Sequence, residues 1–483
     1  MGHMRASDAI HRWVAPIILA AAAVLSLVAA LVAAAVPLLA VMALAAASLA
    51  VLLMLSRSLV LAILLMSGLV DLLTPFRIGP LSAMGVTTIL YAIGSWFVWL
   101  LRAELPARLR RALLPFALFL FWAGVSMVLW YRPSVEGVQN LLVIVAFLGL
   151  IVLTANETRR SPEFIDTLGR VMTAATVIAV VLQVLSYHLG VMPAGFGIQA
   201  RSFALFALVA LAWQLGRWRS GDRRAFWAAL AIVGLIGISL SRTAFVVGVL
   251  LFPASHMRLQ SVRGWFQAGV LGVGAVGLLY TIVSRVEPLR ARFFEGDLSL
   301  KVGGIAINAM GRTAFWEITL ASWRKSPLIG NGSGSAQPLI EAYFPGLGHP
   351  HNDYLRILHD YGLIGLAIWL VGYLVLLWVT SSAWSRSDPQ RDAAAGVHLA
   401  AFLALAAVAA AMVTDNTMVY VFVMAPAGIL VGASFGVMER DQHKDPAPTG
   451  STLGPPGLED GPASGVAPGA APPSLVTRES CAS

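Results

Sequence analysis

The chain has 483 residues, of which 58% are hydrophobic and only 12% are charged, with a formal net charge of +9. Soluble proteins carry roughly 25% charged residues, so this composition argues against a soluble enzyme, a disordered scaffold and a secreted disulfide-rich module. Because about 20 apolar residues make one spanning helix, we expect an all-α, polytopic integral membrane protein with about 12–14 transmembrane helices. No disulfide can form within the chain, since Cys481 is its only cysteine.

Apolar runs follow one another along most of the chain. Residues 1–3 resemble a cloning remnant within a polar N-terminal segment, residues 1–13, and the first apolar run is too long for a signal-peptide core. The predicted spans are 14–35, 38–55, 58–73, 84–101, 113–130, 138–153, 168–186, 203–215, 227–240, 244–255, 265–283, 363–380, 396–414 and 419–437.

Arginines in the connecting loops orient these spans. Short loops enriched in arginine mark the cytoplasmic side of a membrane, so alternate threading predicts cytoplasmic N- and C-termini. Because the basic residues are spread among loops and not gathered on one face, nucleic acid is not expected as a partner. The arginines predicted on the cytoplasmic side are Arg57, Arg102, Arg108, Arg110, Arg111, Arg159, Arg160, Arg217, Arg219, Arg223, Arg224, Arg258, Arg263, Arg386 and Arg391.

One long polar segment, residues 284–362, falls on the opposite, periplasmic side. It is too long for an idle connection, and loops of this kind carry function. It separates a predicted helix bundle at 14–283 from C-terminal spanning helices at 363–440. Residues 441–483 are rich in Pro, Gly, Ala and Ser, so they are predicted to form a disordered cytoplasmic tail.

An amphipathic helix is predicted within this loop, from Arg312 to Lys325. Trp316, Leu320 and Trp323 recur at i, i+4 and i+7, which is typical of a helix lying at the membrane interface with its tryptophans among the headgroups. Arg312 begins the helix, where a cation opposes the helix dipole. We therefore expect an anionic partner for Arg312.

A histidine precedes the last predicted helix of the loop. Asn352 is a good N-cap for a helix over 353–361, and Gly362 is a good residue to end it. Capping does not account for His351, which stands at the outer membrane–water boundary. Its ordinary pKa is near neutral, so His351 is a candidate general base.

Two further arginines lie near the outer ends of predicted spans. Arg242, in Ser241-Arg242-Thr243, is either a functional residue or a snorkelling anchor. Arg201 is likewise an anchor or a ligand. Converging guanidinium groups suit bidentate binding of phosphate or pyrophosphate. The sequence contains no Gly-rich phosphate loop, HExxH, Cys/His metal spacing or outward DxD-like pair, so neither a metal nor a cofactor is expected.

The motif around His351 resembles that of a known family. His351-Asn352, nine residues and then Gly362-Leu363-Ile364-Gly365 are similar to the H-[NSQ]-x9-G-x-x-G pattern of the O-antigen ligase and polymerase superfamily. The resemblance extends over roughly residues 200–440. Its other elements, in the family's order, are Ser241-Arg242, Gly311-Arg312 with Trp316, and Pro327-Leu328-Ile329-Gly330-Asn331-Gly332.

The resemblance implies a metal-independent, inverting glycosyltransferase at the periplasmic face of a bacterial inner membrane. The implied donor is a glycan on undecaprenyl pyrophosphate, and the acceptor is lipid A core, the next lipid-linked glycan or a protein. By the same resemblance His351 is the general base, and Arg242 and Arg312 bind the pyrophosphate, with Arg201 as a further ligand. Supporting residues are Asn352, Trp316, Gly362 and Gly365.

A transporter or flippase for an anionic lipid-linked or small solute is the alternative function. The many spans and the arginines near span ends favour it. Transporters place such groups near the bilayer midplane on broken helices, whereas these residues lie toward one face and in a polar loop. The pattern therefore favours a membrane-embedded enzyme, in contact with membrane lipids, over a transporter.

Overall fold

The structure is a computed structural model of the whole chain. It describes residues 56–69, 72, 77–78, 81–102, 104–130, 134–191, 197–302, 305–388 and 394–444. The predicted spans 14–35 and 38–55 lie outside the described residues, as does nearly all of the predicted tail.

Helices dominate the described residues. They are α1 (Ser56–Ser67), α2 (Ala83–Arg102), α3 (Ala107–Trp130), α4 (Val135–Arg160), α5 (Phe164–Gln183), α6 (Ala200–Arg219), α7 (Arg223–Ile238), α8 (Arg242–Ala254), α9 (Val262–Arg285), α10 (Glu287–Phe294), α11 (Arg312–Trp323), α12 (Ala336–Tyr343), α13 (Asp353–Arg386), α14 (Ala395–Ala411) and α15 (Val421–Lys444). A π-helical turn, Val184–His188, extends α5, and a 3-10 turn, Thr417–Val419, precedes α15.

Two small antiparallel hairpins complete the described elements. Strand β1 (Arg77–Ile78) pairs with β2 (Leu81–Ser82), and β3 (Leu300–Val302) pairs with β4 (Ile305–Ile307). The second hairpin lies in the polar segment that also carries α10, α11 and α12. This segment therefore has secondary structure of its own.

The expected all-α polytopic membrane fold is confirmed. Within the described residues, α3, α4, α5 with its π turn, α9, α13 and α15 are long and apolar enough to cross a bilayer, and four shorter apolar helices accompany them. Every predicted span from residue 58 onward coincides with one helix, α1 to α9 or α13 to α15. Several limits differ by six or more residues: α1 ends at Ser67, α3 begins at Ala107, α4 continues to Arg160, α13 begins at Asp353 and ends at Arg386, and α15 continues to Lys444.

Close helix packing in the core depends on glycine. Gly428, Gly432 and Gly436 form an i, i+4 stripe on α15 that faces the backbone of α4. A Cβ at Gly432 would lie 2.5 Å from the Ile151 carbonyl oxygen, and one at Gly436 would lie 2.5 Å from that of Ala155. Small residues at such spacing let two apolar helices approach closely. Helix α15 is buried throughout its apolar length.

The antiparallel pair α6 and α14 brings the site residues together. At one end of the pair the backbones of Gly216 and Gly396 touch. At the other end Arg201, near the start of α6, meets Asp415, which follows α14. Because α6 is buried from Ser202 to Gly216, the position of Arg201 is set by the core.

A break in α13 occurs at Gly362, where the sequence predicts the end of a short helix. Gly362 has a φ of 69°, and the backbone of the Pro327–Gly332 segment pairs with the break. Leu363 N–H donates to the Pro327 carbonyl at 2.9 Å, and Asn331 N–H donates to the His359 carbonyl at 2.8 Å. A Cβ at Gly362 would lie 2.1 Å from the Leu328 carbonyl oxygen. This close approach requires glycine.

Candidate active site

The segment carrying His351 is held from two sides. The Asn352 side chain accepts a hydrogen bond from Leu355 N–H at 3.0 Å and caps α13, as the sequence predicts. The indole N–H of Trp316 on α11 donates to the Pro350 carbonyl at 3.0 Å. His351 itself has a φ of 52°, a conformation that side-chain-bearing residues rarely adopt and that recurs at active sites.

The imidazole of His351 lies among hydrogen-bond donors. Its Nδ1 is 3.2 Å from a guanidinium nitrogen of Arg201 and 3.2 Å from the amide nitrogen of Asn416. A guanidinium only donates, so Nδ1 accepts in this arrangement. Burial, together with Arg201 and Arg312, lowers the pKa of His351 to about 4, although Asp415 opposes the shift. The ring is therefore neutral at pH 7.

Arg201 joins His351 to a buried carboxylate. Its guanidinium forms an ion pair with Asp415, with Nε 3.0 Å from Oδ2, and lies over the Tyr420 ring at 5.6 Å from the centroid. Asp415 is only 2% exposed. Of the two interpretations that the sequence leaves open, the contact with His351 favours a place in the site over a membrane anchor.

Arg242 begins α8 and points toward the polar segment. Its guanidinium donates to the backbone carbonyls of Arg292, at 3.1 Å, and Asn308. The adjacent Thr243 hydroxyl lies 2.6 Å from the Thr414 hydroxyl, close to Asp415 in sequence. These contacts place the Arg242 guanidinium against the backbone of the polar segment.

Arg312 begins α11 after Gly311, whose φ is 75°. Within the part of the chain that the structure describes, its guanidinium has no hydrogen-bond or ion-pair partner. Burial lowers the pKa of Arg312, with Arg201 and Arg292 acting in the same direction and Asp415 opposing them. A partly buried guanidinium without a counterion is unfavourable unless a ligand supplies one.

The three predicted arginines form one group, called here the arginine cluster: Arg201, Arg242 and Arg312. Arg242 and Arg201 each lie within electrostatic range of Arg312. Asp415 acts on both Arg201 and Arg312, and Asp353, which is itself paired with Arg356, acts on Arg201, so positive charge exceeds negative charge here. Such a group can bind an oxyanion beside the neutral His351.

The remaining predicted residues shape the protein around this group. A Cβ at Gly365 would lie 3.2 Å from the Trp122 ring, and the Trp122 indole N–H donates to the Tyr361 carbonyl at 2.9 Å. Gly362 and Gly365 thus permit the break in α13 and its packing on α3. Among the described residues, no group of three or more His, Cys, Asp or Glu side chains could hold a metal ion.

Asp415 and Asn416 were missed by the sequence reasoning. They are polar residues in a short connection between two almost wholly apolar runs, and this contrast is the signal that could have found them. The buried ion pair of Asp353 and Arg356, 2.9 Å apart, was also missed. It fixes the first turn of α13, since Asp353 also accepts from Met418 N–H at 2.7 Å.

A comparison with protein families identifies this region. The family model described as O-antigen ligase matches residues 230–370, less than a third of the chain. The superfamily of O-antigen ligases and polymerases is supported for this segment. It contains Arg242, Arg312, His351 and the two glycines at the break in α13, while Arg201 and Asp415 lie outside it.

The match supports, in general terms, an O-antigen ligase-type glycosyltransferase activity that involves lipid-linked glycans. No curated protein matches the chain.

Proposed function

We propose that the protein transfers a glycan from undecaprenyl pyrophosphate to an acceptor hydroxyl at the periplasmic face of a bacterial inner membrane. The acceptor is lipid A core or a lipid-linked glycan. The observation that carries this proposal is the unpaired guanidinium of Arg312 next to Arg201, Arg242 and a neutral His351. The site has cations ready for an oxyanion and a neutral imidazole beside them.

The reaction needs two forms of assistance. As the bond between the sugar C1 and the pyrophosphate oxygen breaks, its electron pair goes to the pyrophosphate, and preorganised cations stabilise that charge. The acceptor oxygen forms the new bond to C1 from the opposite side, and its proton passes to His351. The configuration at C1 is inverted. The arginine cluster supplies the positive charge, so no divalent metal is needed for this role.

The membrane orientation is part of the proposal. Arg159 and Arg160 end α4, Arg217 and Arg219 end α6, and Arg386 ends α13. These arginines are on the cytoplasmic side by the positive-inside rule. Arg201 lies at the other end of α6, so the arginine cluster belongs to the periplasmic side, with both termini in the cytoplasm.

Transfer by purified protein in detergent tests the activity. We expect product from an undecaprenyl-pyrophosphate-linked glycan and a core acceptor, with and without EDTA, and loss of product with His351→Ala. His188→Ala, at an exposed histidine near the end of α5, is the matched control. A transporter needs two compartments and gives no product in detergent, so absence of product from the wild-type protein with both acceptor types contradicts the proposal.

Cysteine labelling tests the orientation. Tyr343 on α12 is 63% exposed, and Tyr343→Cys in a Cys481→Ser background should react with a membrane-impermeant maleimide in cells with a permeabilised outer membrane. The native Cys481 should react only after lysis. The reverse pattern would place the site on the cytoplasmic side.

A further inference from the structure

Asn416 contacts His351 and carries an unsatisfied polar atom. Its amide nitrogen lies 3.2 Å from His351 Nδ1, while its Oδ1 has no hydrogen-bond partner among the described residues. Asn416 is fully buried, at 0% exposure. A buried amide oxygen without a partner carries a desolvation cost. A second orientation of the side chain that gives Oδ1 a hydrogen-bond partner would remove this cost.

The present contacts make His351 a poor base at its free nitrogen. Arg201 and the Asn416 amide nitrogen both donate toward Nδ1, so the single ring proton of the neutral imidazole is on Nε2. Among the described residues Nε2 has no hydrogen-bond partner, and it is the nitrogen left to face a substrate. An Nε2 that already carries a proton cannot accept another.

Resting on the proposed function, we infer that Asn416 is a positioning residue that selects the tautomer of His351 when pyrophosphate binds. The anion draws the Arg201 guanidinium away from Nδ1. The Asn416 amide then turns so that Oδ1 accepts a hydrogen bond from Nδ1–H. The ring loses its Nε2 proton to water and gains one from water at Nδ1, so no net proton is consumed. Nε2 now has a free electron pair for the acceptor hydroxyl.

In this arrangement His351 can act as a base only when the pyrophosphate of the glycan donor is bound. Without pyrophosphate, His351 presents a donor N–H where the acceptor hydroxyl binds. With pyrophosphate, it presents a lone pair, and after proton transfer the Asn416 Oδ1 holds the imidazolium by its Nδ1–H. The role resembles that of the residue that orients a catalytic imidazole in other hydrolases and transferases.

Ring-nitrogen NMR tests the tautomer directly. The full-length protein in detergent, labelled with ¹⁵N-histidine, is compared with His351→Gln to assign the His351 signals. We expect the Nε2–H tautomer at rest and the Nδ1–H tautomer with inorganic pyrophosphate, at a concentration that inhibits transfer by about nine tenths. An unchanged tautomer under those conditions overturns the inference. Absence of any inhibition by pyrophosphate overturns the pyrophosphate site as well.

Kinetics of Asn416 variants give a second test. Asn416→Leu is expected to lower kcat about 10- to 100-fold, with the donor KM within about threefold of wild type. Asn416→Asp keeps an acceptor for Nδ1–H, and we expect its kcat to remain within about tenfold of wild type. Thr417→Val is the control, because it removes a neighbouring buried hydroxyl without touching His351.

The pH profile separates positioning from a structural role. A carboxylate at residue 416 stabilises the imidazolium, so Asn416→Asp should move the acid limb of kcat to higher pH. The other charged or titratable groups that face the ring are Arg201, Arg312, Asp415 and His349, and these are unchanged in the variant. An unshifted limb, or equal losses with Leu and Asp, contradicts the inference.

Two further results complete the test. A kcat for Asn416→Leu within twofold of wild type overturns the inference while His351→Ala is inactive and the proposed function stands. If His351→Ala retains activity, the proposed function and the inference fail together. Should Asn416→Leu fail to fold, Asn416→Asp and the NMR comparison still decide.

Discussion

Two histidines eight residues apart occupy contrasting surroundings. His359, on the first turns of α13, is 1% exposed. Its Nδ1 lies 3.0 Å from the Asp360 carboxylate, and its Nε2 lies 3.0 Å from the Ser322 hydroxyl. Asp360 also accepts from the backbone N–H groups of Gly334 and Ala336 at 3.0 Å each. Both ring nitrogens of His359 are used to join α11, α12 and α13.

His351 differs in every one of these respects. Its Nδ1 faces two donors, Arg201 and Asn416, and the described residues offer no partner for its Nε2. Its backbone has a positive φ. A histidine with partners on both nitrogens holds structure, whereas one with a free nitrogen beside cations is available to a ligand. The neighbouring charges and the unused nitrogen therefore separate the two histidines.

The largest effects should come from replacing each of these two histidines in turn. His351→Gln should reduce kcat by about 10²- to 10⁴-fold, the usual value of a general base, with unchanged thermal unfolding. His359→Ala leaves the Ser322 hydroxyl without a partner and removes one of the hydrogen bonds of Asp360, so it should cost about 1–3 kcal/mol of stability. Its kcat per folded molecule should stay within about threefold. Unfolding curves and single-turnover assays measure stability and activity for both variants. A stable but inactive His359→Ala would contradict the structural role of His359.

The next effect concerns the unpaired cation of the cluster. Arg312→Lys keeps the charge but loses the bidentate fork, and we expect kcat/KM for the lipid-linked donor to fall about 10- to 100-fold. Arg324→Lys is the matched control, at an exposed position just after the same helix. Equal activities of the two variants in the detergent assay would remove Arg312 from donor binding.

A smaller effect should follow from loosening the segment before His351. Trp316→Phe removes the hydrogen bond to the Pro350 carbonyl and keeps the ring. The loss of about 1 kcal/mol in positioning corresponds to roughly a fivefold fall in kcat. Trp323→Phe, which removes a similar bond to the Pro327 carbonyl, should leave kcat unchanged. If both variants behave alike, Trp316 does not position His351.

The smallest effect is expected from pH near neutrality. The pKa of His351 in the free protein is about 4, lowered first by burial and then by Arg201 and Arg312. The neutral, active form dominates above that value, so kcat/KM should stay flat from pH 8 to about 5 and fall as the pH drops through about 4. Pyrophosphate neutralises the neighbouring cations, so the acid limb of kcat should lie at higher pH. An acid limb of kcat/KM near pH 6.5 would mean that neither burial nor the cations lower the pKa of His351.

The histidine of the candidate site was predictable from local pattern, but its partners were not. His351 stands just before a capped helix, and the Asn352 cap and the glycine at residue 362 follow rules of helix ends that act over a few residues. Arg201 and Asn416 lie 150 and 65 positions away from His351 in the chain. Their contact depends on the antiparallel packing of α6 and α14, which no local pattern encodes.

By itself the sequence determined that the chain is an all-α membrane protein and where its apolar helices lie from residue 58 onward, because hydropathy and helix caps act locally. It also pointed to Arg242, Arg312 and His351. Only the tertiary structure decided that Arg201 joins Asp415 to His351 and that the Pro327–Gly332 segment docks on the break at Gly362. It alone separated His351 from His359. The physical reason is that charge and hydrogen bonding act between groups close in space, whatever their separation along the chain.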